Sequence, residues 1–271
     1  MGQVIHVLPE GQSVAGVTSL GDEVYILRPK KRDEVEVYDV STYHLLRCLT
    51  VPNLRGLADM TICEYCRCMY ISDWIVECIH RLELQGAATQ WPVNDRPYGL
   101  SVNAARNVLV ACDVVDKIKE FSTHGDLVRI VTLPGFVVNP WHAIQLTGGQ
   151  FVLCHGGRRE PVNRVCVVSA DGRHIVHSHG GQPASDVGHY SKPIHLAVDG
   201  NEFVFVADLI NRRVTLLSPT LRHMRRVVSC GKLKWWPCFL HLDVQRRRLY
   251  VTDNKWKDGE YAAGRLVVIS V

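Results

Sequence analysis

The sequence repeats a unit of about 40–45 residues, and this repeat constrains the fold more than any other feature. In its clearest copy, Pro193 leads through two short apolar runs to Asp208, and a third apolar run follows. Looser copies precede and follow this one. The six predicted repeats cover residues 11–52, 53–93, 94–136, 137–180, 188–230 and 233–271.

Each repeat predicts strands and not helices. Its apolar and β-branched residues come in short runs that Gly, Asp, Asn and Pro interrupt, without a sustained helical spacing. Four antiparallel strands in a repeat of this length are the pattern of a β-propeller blade. The sequence therefore predicts an all-β fold, a six-bladed β-propeller of four-stranded antiparallel blades.

The two ends of the chain predict how the ring closes. The last repeat ends with GRLVVISV at Val271, which supplies a third strand and leaves no residues for a fourth. The segment at residues 3–10, QVIHVLPE, precedes the first repeat and has a strand-like pattern. Its pairing with the last blade would remove two exposed sheet edges. We predict a single propeller domain over residues 1–271, and a monomer.

One repeat carries a motif that resembles a known family. The string ADLINRRV at residues 207–214 follows a lead-in through Gly188, Tyr190 and Pro193. Together they resemble an NHL repeat, the six-bladed propeller unit at the carboxyl end of many tripartite-motif ubiquitin ligases and related regulators. The match is clear in the fifth repeat, fair in the third and sixth, and loose in the others. The resemblance implies a propeller that binds proteins or RNA.

The motif residues have a structural role before any functional one. An Asp at the end of a second strand can accept backbone and Arg hydrogen bonds across a blade junction, and such charge-assisted pairs are strong. We therefore interpret Asp208, Asn211 and Arg213 as structural. Two repeats depart from the pattern, because Arg28 and His155 stand at the Asp position.

Ten cysteines and the amino terminus bear on the compartment. Most cysteines lie in apolar strand runs, where they act as small hydrophobic residues. The first residues lack the basic start and apolar core of a secretion signal. No apolar run approaches the roughly 20 residues that span a bilayer. These features favour a reducing, cytoplasmic location and predict no membrane contact.

The string CEYCRC, from Cys63 to Cys68, needs separate consideration. Its Cys-x-x-Cys half could hold zinc, but a structural zinc site needs four ligands and no second pair lies at a suitable spacing. By alignment it occupies the turn between the first two strands of the second blade. We predict no metal and no cofactor here.

Function in a propeller comes from its surfaces. The loops that join the second strand to the third, and each blade to the next, lie on one face, which we call the loop face. Basic and aromatic residues concentrate in these loops, and such anchors favour a binding partner. The predicted partner-binding residues are Lys30, Lys31, Arg32, Arg96, Tyr98, Trp141, Arg158, Arg159, Tyr190, Lys192, Arg212, Trp235, Lys255 and Trp256.

The nature of the partner is open between protein and RNA. Cations interleaved with aromatic rings could hold single-stranded RNA through phosphates and stacked bases. The net charge of +4 is mild, however, and carboxylates share the same loops. A dedicated RNA-binding protein usually shows a stronger basic balance. We expect a protein partner, with single-stranded RNA as the alternative.

A third alternative is catalysis in the channel. His142 and His195 occupy the place of Gly99 in the third repeat, so both should point toward the channel, where His155 could complete a metal site. Some six-bladed relatives are metal-dependent lyases or hydrolases. The sequence contains no local metal motif and no acidic residue placed as a base. We expect a non-catalytic protein without a metal.

Overall fold

The computed structural model describes residues 2–28, 34–157, 162–181, 189–257 and 260–271. Within these residues the regular elements are strands, and they form six four-stranded antiparallel sheets. The described residues contain no helix with the length and apolar character needed to cross a membrane. The predicted all-β, six-bladed propeller is confirmed.

Five blades are built from four consecutive strands each. They begin at β2, β6, β10, β14 and β18, which are the inner strands of blades 1 to 5, and β22 is the inner strand of blade 6. The strands are β1 Gln3–Val7, β2 Gly16–Leu20, β3 Glu23–Leu27, β4 Glu34–Asp39, β5 Leu45–Thr50, β6 Leu57–Cys63, β7 Cys68–Asp73, β8 Cys78–Glu83, β9 Ala88–Pro92, β10 Pro97–Val102, β11 Val108–Cys112, β12 Lys117–Phe121, β13 Leu127–Thr132, β14 Pro140–Gln145, β15 Phe151–His155, β16 Asn163–Val168, β17 Ile175–Gly181, β18 Pro193–Val198, β19 Val204–Asp208, β20 Arg213–Leu217, β21 His223–Val228, β22 Trp236–Asp243, β23 Arg248–Lys257 and β24 Glu260–Ser270.

The ring closes through the amino-terminal strand, as predicted. The last sheet has the order β1, β24, β23, β22, so the first strand of the chain is the outer strand of blade 6. The register pairs Gln3 with Ser270 and Val7 with Val267. The backbone N–H of Leu8 continues the pairing by donating to the carbonyl of Leu266 at 2.9 Å.

The core is divided among the blade interfaces. Each of six clusters of buried apolar residues lies between two neighbouring blades. Between blades 1 and 2, for example, Tyr25 and Leu27 share a cluster with Met69 and Ile71. The middle strands β7, β11, β15 and β19 are buried along their whole length because both of their faces pack against other blades. This arrangement explains why their sequences are continuous apolar runs.

Aspartates at the ends of second strands hold nearby loop residues of the loop face in place. Asp253 is fully buried and accepts hydrogen bonds from the backbone N–H groups of Lys234 and Trp235, each at 2.8 Å. Asp208 accepts from Asn211 at 2.8 Å and from Arg213 Nε at 2.8 Å. The structural interpretation of Asp208, Asn211 and Arg213 is confirmed by these contacts.

Candidate functional site

The channel contains a cluster of three buried ionisable side chains. Asp59 lies on β6, His142 on β14 and His195 on β18, and their exposed fractions are 2%, 2% and 5%. The Nε2 atom of His195 lies 3.1 Å from Oδ2 of Asp59, and Nε2 of His142 lies 3.8 Å from the same oxygen. The two imidazole rings stack with their centroids 3.8 Å apart. Because blades 2 and 5 face each other across a six-bladed ring, the cluster spans the channel.

Backbone groups from two further blades hold this cluster. The N–H of Leu100, on β10, donates to Oδ2 of Asp59 at 2.8 Å, and its carbonyl accepts from Nε2 of His142 at 3.0 Å. The N–H of Leu240, on β22, donates to Nδ1 of His195 at 3.3 Å. Five of the six blades therefore contribute to one hydrogen-bonded network.

These contacts fix the protons on the two histidines. His142 faces a carbonyl through Nε2, so that nitrogen carries a proton. His195 accepts from an N–H at Nδ1, so its proton is also on Nε2 and is directed at Asp59. A histidine binds a metal through an unprotonated nitrogen. The nitrogen atoms nearest Asp59 are therefore the protonated ones, so a metal ion would have to displace both protons to bind Asp59, His142 and His195 together.

The electrostatics of the channel favour neutral imidazoles. Burial, together with the neighbouring His195, lowers the pKa of His142 to about 3. Burial also lowers the pKa of His241, on β22, to about 4. A neutral imidazole can accept or donate one hydrogen bond at each nitrogen, but it is a weak base when its pKa lies so far below neutrality.

The sequence predicted part of this cluster correctly. His142 and His195 do come together in the channel, but His155 does not join them. His155 is fully buried at the end of β15, and within the described residues its ring nitrogens have no hydrogen-bond partner. Asp59 is the third member of the cluster, and it was not among the residues predicted from the sequence. Its position was a usable signal, because it lies two residues after the start of β6, as His142 does in β14.

A cavity of about 200 Å³ adjoins the cluster. His142 and His195 line it, and its other walls come from later residues of the six inner strands, which include the polar side chains of Thr18, Thr61 and Ser101. Pockets for drug-sized ligands usually measure about 300–1,000 Å³. The cavity is therefore too small to enclose a drug-sized ligand, but it could hold a small molecule, ordered water or one group of a larger molecule.

On the loop face, the structure brings several predicted residues together. Tyr98 and Trp141 meet edge to face with ring centroids 4.9 Å apart, and Nζ of Lys192 lies 5.1 Å from the Trp141 ring. All three side chains are half-buried. Trp235 is also half-buried, whereas Lys255 and Trp256 are exposed at the end of β23.

Two predicted cations are engaged inside the protein. Arg96 forms a two-point ion pair with the buried carboxylate of Asp113. Arg212 donates to the backbone carbonyls of Trp235, at 3.0 Å, and of Leu233. These guanidinium groups join neighbouring segments, so their charge is largely committed to the fold.

The prediction that Tyr190 binds a partner is wrong. Its side chain is only 1% exposed and belongs to the apolar cluster between blades 4 and 5, where its hydroxyl lies 3.2 Å from that of Thr215. The aromatic residue of the lead-in motif is therefore a core residue. Five other predicted binding residues lie outside the described part of the chain: Lys30, Lys31, Arg32, Arg158 and Arg159.

The loop face also carries exposed apolar side chains, of which only Trp256 is among the partner-binding residues predicted from the sequence. Among the described residues, the turns on the opposite face expose only Tyr65 and Val244 in this way. A signal was present in the sequence, because apolar residues directly follow the Asp that ends the second strand of several blades. The exposed apolar residues of the loop face are Trp74, Ile75, Val76, Val114, Phe136, Ile210 and Trp256.

Comparison with known proteins supports the fold and not a family. No family model matches the sequence, and no curated protein matches it. Solved structures do match. A streptogramin B lyase aligns with a TM-score of 0.66 at 12% identity, covering 100% of this chain and 86% of the other. Virginiamycin B lyase from Staphylococcus aureus aligns with a TM-score of 0.65 at 11% identity, covering 98% and 100%. The β-propeller domain of Cps50 (Swd1) from Myceliophteria thermophila aligns with a TM-score of 0.60 at 13% identity, covering 100% of both chains.

These neighbours correct one prediction. The prediction that the protein is not an enzyme is wrong, because two of the similar propellers are lyases. At this low identity the likeness shows the fold alone and identifies no reaction.

Proposed function

We propose that the protein is an NHL-type binding module whose loop face captures a protein segment with apolar anchor residues and acidic flanks. The observation that carries this proposal is the concentration of exposed apolar side chains on that face. Val114, Phe136 and Ile210 are 60%, 60% and 53% exposed, and exposed apolar residues mark an interaction site where they gather into one patch. Aromatic side chains at the centre of such a patch can act as the anchors of an interface.

The charges of the loop face favour acidic flanks on the partner. The carboxylates of Asp73, Asp113, Asp208 and Asp253 belong to the same loops, but each is completely buried. Three of them form ion pairs with arginines, and the fourth lies beside a histidine. The exposed lysines of this face are Lys234, which forms an ion pair with Glu10, and Lys255 and Lys257.

The same contacts make a protein partner a better candidate than single-stranded RNA. RNA binding on such a face needs cations that reach phosphates and rings that stack on bases. Arg96 and Arg212 direct their guanidinium groups at protein atoms. Several of the exposed apolar residues, including Val114 and Ile210, are aliphatic and cannot stack on a base.

The proposal can be tested with a random peptide library displayed on phage. We expect the selected peptides to combine aromatic or aliphatic residues with Asp and Glu. Val114→Arg together with Ile210→Arg should weaken the binding of a selected peptide at least about tenfold, because a charge then replaces an apolar contact. Val244→Arg is the matched control, because Val244 is 54% exposed in a turn on the opposite face.

The same variants distinguish the alternative. If RNA is the ligand, a single-stranded oligouridine should bind the protein, and its affinity should fall steeply with salt because each phosphate contact releases a counterion. Selected peptides that bind the double variant and the Val244→Arg control equally would contradict the choice of face. Salt-sensitive oligouridine binding lost on Lys255→Glu with Lys257→Glu would place RNA first.

Catalysis in the channel is the second candidate, and the cavity beside His142 and His195 is the observation that favours it. The test is incubation of the protein with virginiamycin B, followed by chromatography and mass spectrometry. A lyase cleaves without adding water, so a product would elute differently with unchanged mass. Turnover that disappears on His142→Ala, in a variant that still folds, would make the channel an active site.

A further inference from the structure

The cysteine cluster in blade 2 forms a compact group of thiols. Cys63 is the last residue of β6 and Cys68 the first of β7, and the two are directly paired across the hairpin. Both side chains are buried, with exposed fractions of 3% and 1%. Cys66 lies in the turn between them and is half-buried, so it is the member that a small reagent can reach. The turn lies on the face opposite the loop face.

The Cys66 sulfur is surrounded by hydrogen-bonding groups. The hydroxyl of Tyr70 lies 3.4 Å from it, and the thiols of Cys63 and Cys68 also interact with it. Either partner can donate while Cys66 is a thiol. Only the hydroxyl and the neighbouring thiols can donate once Cys66 has become a thiolate, so the arrangement stabilises the charged form.

The acidities follow from this arrangement. Burial acts to raise the pKa of the Cys66 thiol, but hydrogen bonds from Tyr70, Cys63 and Cys68 outweigh it and lower that pKa. Burial and the contact with Cys66 raise the pKa of Cys63, and they raise that of Cys68 to about 12. The cluster thus combines one thiol prone to ionise with two that stay protonated.

We propose that Cys66 is a peroxide-reactive thiol and that its oxidation closes a disulfide bond with Cys63. The local geometry suits this pairing, because only two residues separate the cysteines within one tight turn and the Cys66 sulfur lies 4.0 Å from the carbonyl oxygen of Cys63. The thiolate is the reactive form, and a partly exposed thiolate beside a second thiol is the usual arrangement of a redox-sensitive cysteine.

The chemistry balances with a hydroperoxide as the oxidant. The Cys66 thiolate attacks the terminal oxygen of the hydroperoxide and the O–O bond breaks, which gives a sulfenic acid and releases hydroxide from hydrogen peroxide or an alkoxide from an organic hydroperoxide. The Cys63 sulfur then attacks the Cys66 sulfur, the S–O bond breaks, and water leaves with the thiol proton. Two thiols are oxidised to one disulfide, and the peroxide is reduced to water or its alcohol.

A metal site is the other use that three cysteines suggest, and the structure does not favour it. Among the described residues, one group of three potential ligand atoms comes close together, and it consists of Asp59, His142 and His195. The three sulfur atoms of the cysteine cluster do not form such a group. Their interactions centre on Cys66, as a redox pair with a resolving thiol requires.

The test uses the full chain and mass spectrometry. The protein is treated with stoichiometric hydrogen peroxide, its remaining thiols are alkylated, and it is digested with trypsin. Cleavage after Arg55 and Arg67 places Cys63 and Cys66 in one peptide and Cys68 in the next. A disulfide between Cys63 and Cys66 therefore appears as a loss of two hydrogens and of both alkyl groups within residues 56–67. A bond to Cys68 would instead join two peptides.

Exposure by itself is controlled for within the same molecule. Cys48 and Cys230 are exposed, whereas Cys66 is half-buried. We expect Cys66 to oxidise several times faster than either of them. In Cys63→Ser the reaction should stop at the sulfenic acid, which dimedone traps on Cys66. Tyr70→Phe should slow oxidation several-fold, while Tyr250→Phe, at a fully buried tyrosine of blade 6, should leave the rate unchanged.

Three results would overturn the proposal. The first is oxidation of Cys66 that is no faster than that of Cys48 and Cys230. The second is a disulfide that joins Cys68 to Cys63 or Cys66 in place of the bond between Cys63 and Cys66. The third is an oxidation rate that Tyr70→Phe does not change. None of these readouts involves the loop face or the channel, so they are independent of the proposed function.

Discussion

Removal of the Asp59 carboxylate should destabilise the propeller strongly, because this group joins blades across the channel. In Asp59→Ala, the N–H groups of Leu100 and Met60 and the Nε2–H of His195 lose their acceptor in a buried environment. A buried donor without a partner costs about 1–3 kcal/mol. Three of them predict a loss of about 4 kcal/mol or more in the free energy of unfolding.

A graded series makes this prediction sharper. In Asp59→Asn the side chain keeps one oxygen, which can still accept hydrogen bonds from Leu100 and His195. The N–H of Met60, which donates to Oδ1 of Asp59 at 2.8 Å, would then face the NH₂ group of the asparagine and lose its acceptor. We expect this variant to lose about half as much stability as Asp59→Ala. Asp22→Ala is the control, because the Asp22 side chain is 86% exposed and its ion pair with Arg246 contributes less than about 1 kcal/mol.

The assay is thermal unfolding followed by circular dichroism, with the spectrum of each folded variant as a check that the strands remain. For a chain of this size, about 1 kcal/mol corresponds to about 2–4 °C in the melting temperature. Asp59→Ala should therefore melt about 10 °C below the unmodified protein. The reasoning is refuted if Asp59→Ala melts within about 2 °C of Asp22→Ala, since the network would then make no net contribution.

Two further predictions concern closure and pH. Deletion of residues 2–8 removes the outer strand of blade 6 and the buried Leu8. Thermal melting should then show a loss of several kcal/mol in the free energy of unfolding, or light scattering should show aggregation. Unchanged melting would contradict closure by β1. Burial acts to raise the pKa of Asp73, but hydrogen bonds from His80 and from backbone N–H groups outweigh it and hold that pKa at about 2. Since this folded-state pKa lies below the ordinary value, the stability that Asp73 provides is complete above about pH 4 and is lost as the pH falls toward 2. Urea unfolding measures the difference in the free energy of unfolding between the unmodified protein and Asp73→Asn. This difference should decrease by about 1 kcal/mol from neutral pH to about pH 3, and a difference that does not change with pH would exclude this linkage.

The proposals concern separate parts of the molecule. The loop face is proposed to bind an apolar and acidic protein segment, and the turn containing Cys66 is proposed to react with peroxide. The channel lies between these two faces. In it, Asp59, His142 and His195 form a hydrogen-bonded network.

The repeat, the strands, the number of blades and the closure by β1 were all predictable from the amino-acid sequence. These features depend on patterns that are local in the chain, such as short apolar runs, turn residues and the Asp that ends a second strand. The sequence also placed His142 and His195 in the channel, because equivalent positions of repeated units occupy equivalent places in the ring.

Which side chains contact each other, and which are exposed, could not be predicted from the sequence and became visible only in the folded protein. Asp59 contacts His195, although 136 positions separate them in the chain, because their blades face each other across the ring. Tyr190 is buried because a neighbouring blade covers it, and Arg96 is engaged because Asp113 lies beside it. Burial and pairing depend on residues from other repeats, and the composition of a single loop cannot show which neighbour covers it.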